Sequence, residues 1–174
     1  DLPTKPGVDA IVDFSVDEQG RLFVALGTGY GYGAYEVIEP LAAGGPKTWY
    51  TGDGGGDGAG EDFSALAAGG GHVVVVTADR TGGTVHAWDL DGSGQRSERA
   101  LPDLINAGPA EVDQAGTLWL ISSPASGTRI DEVTSDGQAS SFAYEGLATP
   151  SALSMGTDGT LYVVDGDLLA FDGV

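Results

Sequence analysis

The sequence predicts an all-β fold, a β-propeller of about four four-stranded blades, and three observations carry that expectation. The first is a phrase that recurs four times, a Gly, one polar residue and then a run of apolar residues: Gly20-Arg-Leu-Phe-Val-Ala-Leu26, Gly71-His-Val-Val-Val-Val-Thr77, Gly116-Thr-Leu-Trp-Leu-Ile-Ser122 and Gly159-Thr-Leu-Tyr-Val-Val-Asp165. Its glycines stand 51, 45 and 43 residues apart, a period that suits one propeller blade per repeat. The second is composition: 30 glycines in 174 residues, with short apolar runs bounded by turn residues and no sustained helical periodicity. The third is that the repeated strand is apolar on both faces, as at 73–76, which requires cover on both sides of its sheet. A sandwich would leave one face polar and alternate apolar with polar residues, so it is the weaker alternative.

One domain spans 1–174, with blades at about 8–52, 62–102, 109–146 and 150–174. In the first, strands are expected at 9–15, 21–26, 34–38 and 47–51, with 17–20 turning the first hairpin. The second gives 63–67, 72–78, 84–89 and 96–101, and the third 110–112, 117–122, 129–133 and 140–144. The fourth gives 152–155, 160–164 and 168–171, with no fourth strand. No helix longer than a single turn is expected. Trp49, Trp88 and Trp119 fall within strands and read as core aromatics.

The ends bear on closure. Asp1-Leu-Pro-Thr4 looks like the tail of an outer strand such as Ala100-Leu-Pro-Asp-Leu104, so the chain is expected to be a segment of a larger propeller or to complete a ring with a second copy. Pro3 and Pro6 leave the first residues few ladder donors for closing the last blade.

Charge excludes whole classes of partner. With 26 acidic against 7 basic residues the net charge is −19, which repels phosphate backbones and anionic headgroups. No nucleic-acid partner and no membrane insertion are expected, and no apolar run reaches the length of a membrane span. There are no cysteines, hence no disulfide, thiolate metal site or thiol nucleophile.

The chain resembles the NHL-type propeller repeats, within a broader group that includes gluconolactonase-like and quinoprotein-like propellers. Gly52-Asp-Gly-Gly55 precedes Ser64-Ala-Leu-Ala67 and Gly71-His-Val-Val-Val-Val76, and Pro150-Ser-Ala-Leu-Ser-Met-Gly-Thr-Asp-Gly-Thr-Leu-Tyr-Val-Val-Asp165 is the best single match to the repeat. The Asn-x-Arg-Ile/Val that usually follows the second strand of such repeats is missing, and Asp165-Gly-Asp-Leu168 stands contracted in its place.

If the strands of each blade alternate in direction, the loops after the second and fourth strands share one face, and the irregular residues converge there. Tyr30 and Tyr32 in Gly27-Thr-Gly-Tyr-Gly-Tyr-Gly33 offer flat amphipathic rings to a ligand or fold over the blade rim. Asp53, Asp79, Arg80, Asp103, Asn106, Glu145 and Asp165 join them. Metal candidates are Asp53 and Asp57 in the acidic Gly-rich loop and Asp89 and Asp91 in Asp89-Leu-Asp-Gly-Ser-Gly94. Neither stretch has the spacing of an EF-hand, and Asp-Gly is also what a hairpin turn needs. His72 and His86 are the only imidazoles and are not expected to face each other across strands.

These residues favour a non-catalytic recognition module that binds a protein, peptide or glycan through the loop face, in a bacterial extracellular or cell-envelope setting, with no cofactor required. An alternative is a Ca²⁺-dependent, lactonase-like hydrolase, as the gluconolactonase resemblance implies, with Asp53, Asp103, Asn106 and Asp165 around the ion. A third is a structural or assembly module joined through an unpaired blade edge.

Overall fold

The computed structural model describes residues 8–28, 35–52, 60–79, 84–99, 101, 104, 106–123, 127–136, 138–142 and 147–171. Tyr30, Tyr32, Asp53, Asp57, Arg80, Asp103, Glu145 and the first seven residues lie outside them. Among the described residues there is no helix.

Four antiparallel meander sheets follow one another along the chain. The first holds β1 (Val8–Val16), β2 (Leu22–Thr28), β3 (Tyr35–Glu39) and β4 (Lys47–Gly52). The second holds β5 (Glu61–Gly69), β6 (His72–Asp79), β7 (Val85–Leu90) and β8 (Arg96–Arg99). The third holds β9 (Ala107–Val112), β10 (Leu118–Ser122), β11 (Arg129–Val133) and β12 (Ala139–Phe142), and the fourth β13 (Ala152–Met155), β14 (Leu161–Asp165) and β15 (Asp167–Phe171). Order in space is order in sequence within every sheet. The first strands β1, β5, β9 and β13 pack against one another in succession, so each sheet is a blade with its first strand innermost.

The recurring glycine has a conformational reason. Gly20, Gly71, Gly116 and Gly159 all hold a positive φ, between 75° and 81°, in the hairpin joining the two inner strands, where a side chain would be strained. Aspartates close the same turns. The Asp17 carboxylate accepts the N–H groups of Gln19 and Arg21, and Asp113 accepts those of Ala115 and Thr117. A second regularity is a bulge in each of β1, β5 and β9, between Ile11 and Asp13, between Phe63 and Ala65, and opposite Leu120 to Ser122. Such bulges add twist and unpair one residue, which is how Pro109 is tolerated within β9.

Three apolar layers fill the blade interfaces. Phe23, Ala25, Val37 and Trp49 meet Leu66, Ala68, Val73 and Val75 between the first two blades. Val74, Val76 and Ala87 meet Ala110, Leu118 and Leu120 between the second and third, and Trp119, Ile121 and Ile130 meet Leu153, Leu161 and Val163 between the third and fourth. The four valines of β6 thus alternate between two interfaces, which explains why this strand has no polar face. Burying each contributes roughly 1.5–3 kcal/mol.

Trp88 departs from the sequence expectation. Val85 and Ala87 take the inward face of β7, so the indole lies half-buried on the other side, with the Arg96 guanidinium 3.7 Å from its ring centroid. Its Nε1–H donates to Glu61 and Thr77. Trp49 and Trp119 are buried as expected.

Candidate functional site: the two mouths of the blade axis

Antiparallel meanders put the second-to-third-strand and blade-to-blade connections on one face and the hairpin turns on the other. On the loop face the described candidates are Asp79 at the end of β6, Asn106 just before β9 and Asp165 at the end of β14. Asp165 accepts the N–H groups of Ala148 at 2.8 Å and Thr149 at 2.6 Å, fixing the connection that enters the fourth blade. Asp79 stands 3.5 Å from His86 Nε2, while His86 Nδ1 lies 2.8 Å from Glu98. Partial burial opposes the imidazolium, but the bonds to Glu98 and Asp79 outweigh it and raise the His86 pKa. Asn106 holds a φ of 57°, a conformation that Asn tolerates better than most residues, and its carbonyl accepts the Ser123 N–H.

Deeper on this face, two buried polar groups meet. The Ser122 hydroxyl donates to Asp131, and Arg129 Nε reaches the same carboxylate at 2.9 Å. Glu61, where β5 begins, accepts from Thr77, Trp88 and Arg96. These carboxylates stiffen the rim.

The metal candidates within the described residues are placed differently from one another. Asp89 is bound by Arg99 through Nε at 3.1 Å and Nη2 at 2.8 Å and by His72 at 3.0 Å. Asp91 turns into its own hairpin, accepting from the Ser93 and Gln95 N–H groups and the Ser93 hydroxyl, which lowers its pKa. The two carboxylates therefore serve separate structural ends. Among the described residues, no three His, Asp or Glu side chains converge in a way that could hold a metal ion. His72 pairs with Gly69 and His86 with Thr77, so the imidazoles are not cross-strand partners.

The turn face holds a cavity that sequence reasoning missed. About 170 Å³ in volume, it is lined by Val16 and Glu18, Ala68 and Gly69, Glu111, and Met155 from the inner strands and turns of all four blades. Glu111 lies in β9 and accepts the Met155 N–H from β13. Burial is the main influence on its carboxyl, raising its pKa to about 7; the Met155 bond opposes this, and the Asp13 charge adds to it. Such a carboxyl can give or take a proton near neutrality. The available signal was an acid at an inner-strand position where the first blade has Ser15 and the second Ala67.

No protein-family model matches the sequence, and no curated protein matches it closely enough to count as a relative. Solved structures do resemble it. A gluconolactonase from Xanthomonas campestris is similar over 96% of this chain and 58% of its own, at 16% identity and a TM-score of 0.64. The chain has the β-propeller fold. A propeller from a crystal structure of a nidogen/laminin complex is similar over 99% of this chain and 68% of its own, at 15% identity and a TM-score of 0.60. TolB from Acinetobacter baumannii is similar over 98% and 45%, at 11% identity and a TM-score of 0.52. The present chain spans little more than half the length of the gluconolactonase, and at these identities the likeness carries the fold and not the activity.

Proposed function

We propose that the chain is a recognition module that binds a protein, peptide or glycan through its loop face, without catalysis. The observation that supports this most directly is the engagement of that face's carboxylates by the protein itself. Asp165 holds two backbone N–H groups, Glu61 holds Trp88 and Arg96, and Asp131 holds Ser122 and Arg129. A stiff rim with such commitments suits presentation of the Tyr30 and Tyr32 rings from the β2–β3 connection, since aromatic anchors on a fixed support bind at little ordering cost. One similar solved fold comes from a complex between two proteins, and an extracellular setting accords with this reading. Screening the immobilised chain against a glycan array and a displayed peptide library tests it. A ligand lost on combined Tyr30→Ala and Tyr32→Ala substitution, with Tm unchanged, is the expected result; a ligand held equally by the variant overturns it.

A second reading rests on Glu111. A carboxyl raised to about 7 beside a cavity on the blade axis has the protonation behaviour a hydrolase needs, and one similar solved fold is a gluconolactonase. Hydrolysis of an aldonolactone by the chain, abolished by Glu111→Gln, would favour this reading over the first.

A further inference from the structure

Ser15 and Glu111 hold equivalent positions in the first and third blades, paired across the inner hairpin with Phe23 and Trp119. Each accepts a backbone N–H from the inner strand of the next blade. The Ser15 hydroxyl takes that of Ala68 at 3.0 Å, and the Glu111 carboxyl takes that of Met155, which occupies in β13 the position of Ala68 in β5. A neutral hydroxyl is enough for this bond. A carboxyl there brings an ionisable group partly out of water at a cost, so the hydrogen bond alone does not account for Glu111.

The cations of the described residues are engaged elsewhere. Arg21 is held by Asp17, Arg96 by Glu61, Arg99 by Asp89 and Arg129 by Asp131, while Lys47 lies 4.5 Å over the Trp49 ring. The other acids at the turn-face cavity have structural work: Asp17 and Asp113 close their hairpins, and Glu18 accepts the Gly70 N–H at 3.1 Å. Glu111 thus meets a cavity of about 170 Å³ with Val16, Ala68 and Met155 as apolar walls. That lining selects its ligand. A metal ion needs several oxygens at once, and no three acidic or imidazole side chains converge among the described residues. A cavity of about 150 Å³ admits a molecule the size of benzene, so this one suits a single unbranched side chain and not an oligosaccharide. A guanidinium is matched by a carboxylate that offers both oxygens, whereas Glu111 already accepts the Met155 N–H. An ammonium asks only for a point charge.

We propose that the turn-face cavity binds a primary ammonium on an unbranched aliphatic stem, as a lysine side chain carries it, with the ammonium on Glu111 and the stem against Val16, Ala68 and Met155. The net charge of −19 draws cations toward the chain, and the apolar walls cover the methylenes. Burial keeps the empty carboxyl protonated up to about pH 7, and the Asp13 charge acts the same way. Asp17, Glu18 and Asp113 are the acids at the rim, while the second and fourth blades line the cavity with no titratable group. An arriving ammonium favours the carboxylate and so expels the proton. The site is independent of both readings above, since it lies on the turn face and asks for no reaction at Glu111.

Met155 is the only methionine of the chain, so its methyl NMR signal reports occupancy of the cavity. The probe is Nα-acetyl-lysine methylamide at constant ionic strength, with sodium chloride and the norleucine analogue, which keeps the stem and lacks the charge, as controls. The lysine probe is expected to shift the signal saturably, with an affinity that rises about tenfold or more from pH 5 to pH 8 as Glu111 ionises. The norleucine analogue should leave the signal unmoved. Glu111→Gln should weaken binding about tenfold at pH 8 and remove the pH dependence. A shift that does not saturate, one that sodium chloride reproduces, equal binding of the norleucine analogue, or full affinity in folded Glu111→Gln overturns the proposal. If that variant fails to fold, Val16→Trp decides, because it narrows the cavity from a half-exposed position and leaves Glu111 in place: lost binding upholds the site, and full affinity overturns it.

Discussion

The Arg99 guanidinium closes on both oxygens of the Asp89 carboxylate while donating to the Gly116 carbonyl at 2.8 Å. Its side chain is almost fully buried, so the outer strand of the second blade is fastened to the inner turn of the third by a charge that has left water. Removing one partner of such a pair strands the other. Arg99→Ala is expected to destabilise the chain by about 3 kcal/mol or more, read as a lower denaturation midpoint at constant m. Arg99→Lys should recover only part of this, because an ammonium cannot make the bidentate contact.

Asp89 adds a pH signature to the same contact. Burial disfavours its charged form, but Arg99 and then His72 outweigh this and hold the carboxyl below its usual range. A depressed folded-state value contributes stability that is present above the unfolded value near 3.8 and lost as pH falls through the folded one. Asp89→Asn should therefore flatten the acid limb of a stability–pH curve. An unchanged acid limb would mean that other carboxylates govern acid unfolding.

The repeated turn glycine makes a sharper local prediction. Gly116 combines a φ of 81° with His72 ring atoms 2.8 Å from where a Cβ would sit, whereas Gly159 has the same φ with open space around it. Gly159→Ala is expected to cost about 1 kcal/mol from backbone strain alone. Gly116→Ala should cost more, the excess shrinking in a His72→Ala background. A double-mutant cycle by chemical denaturation measures that coupling.

This turn is also where the fold was most legible. A Gly before a polar residue and an apolar run announces a positive-φ hairpin followed by an apolar strand, and Gly20, Gly71, Gly116 and Gly159 all hold a positive φ at such a turn. Extensions such as β5, which begins at Glu61 rather than 63, follow from bulges that no composition signal marks. The functional residues were less legible because acids look alike in sequence. Asp91 and Asp113 serve turns, Asp131 and Asp165 satisfy buried or backbone donors, and Glu111 faces the axis. Only the packing of four inner strands separates these roles. Trp88 was misjudged for a related reason: periodicity assigns it to a strand but does not say that Arg96 covers its exposed face.

Glu111 gives the last prediction. Its carboxyl is raised from the usual 4.5 to about 7, so between these values the folded chain holds a proton that the unfolded chain has released. Stability from this group is therefore complete below about pH 4.5 and is lost as pH rises through about 7. The cost of ionising it in place is up to about 3 kcal/mol at pH 8. His86 acts in the same direction, since its raised value adds stability that fades as pH climbs past it, so wild-type data alone mix the two. Glu111→Gln separates them, because the amide oxygen can still accept the Met155 N–H while the charge is gone. The variant is expected to gain on wild type steadily from pH 5 to pH 8, in urea denaturation at constant ionic strength. A difference curve flat across that range would show that the carboxylate ionises there without penalty, and would remove the observation on which the hydrolase reading stands.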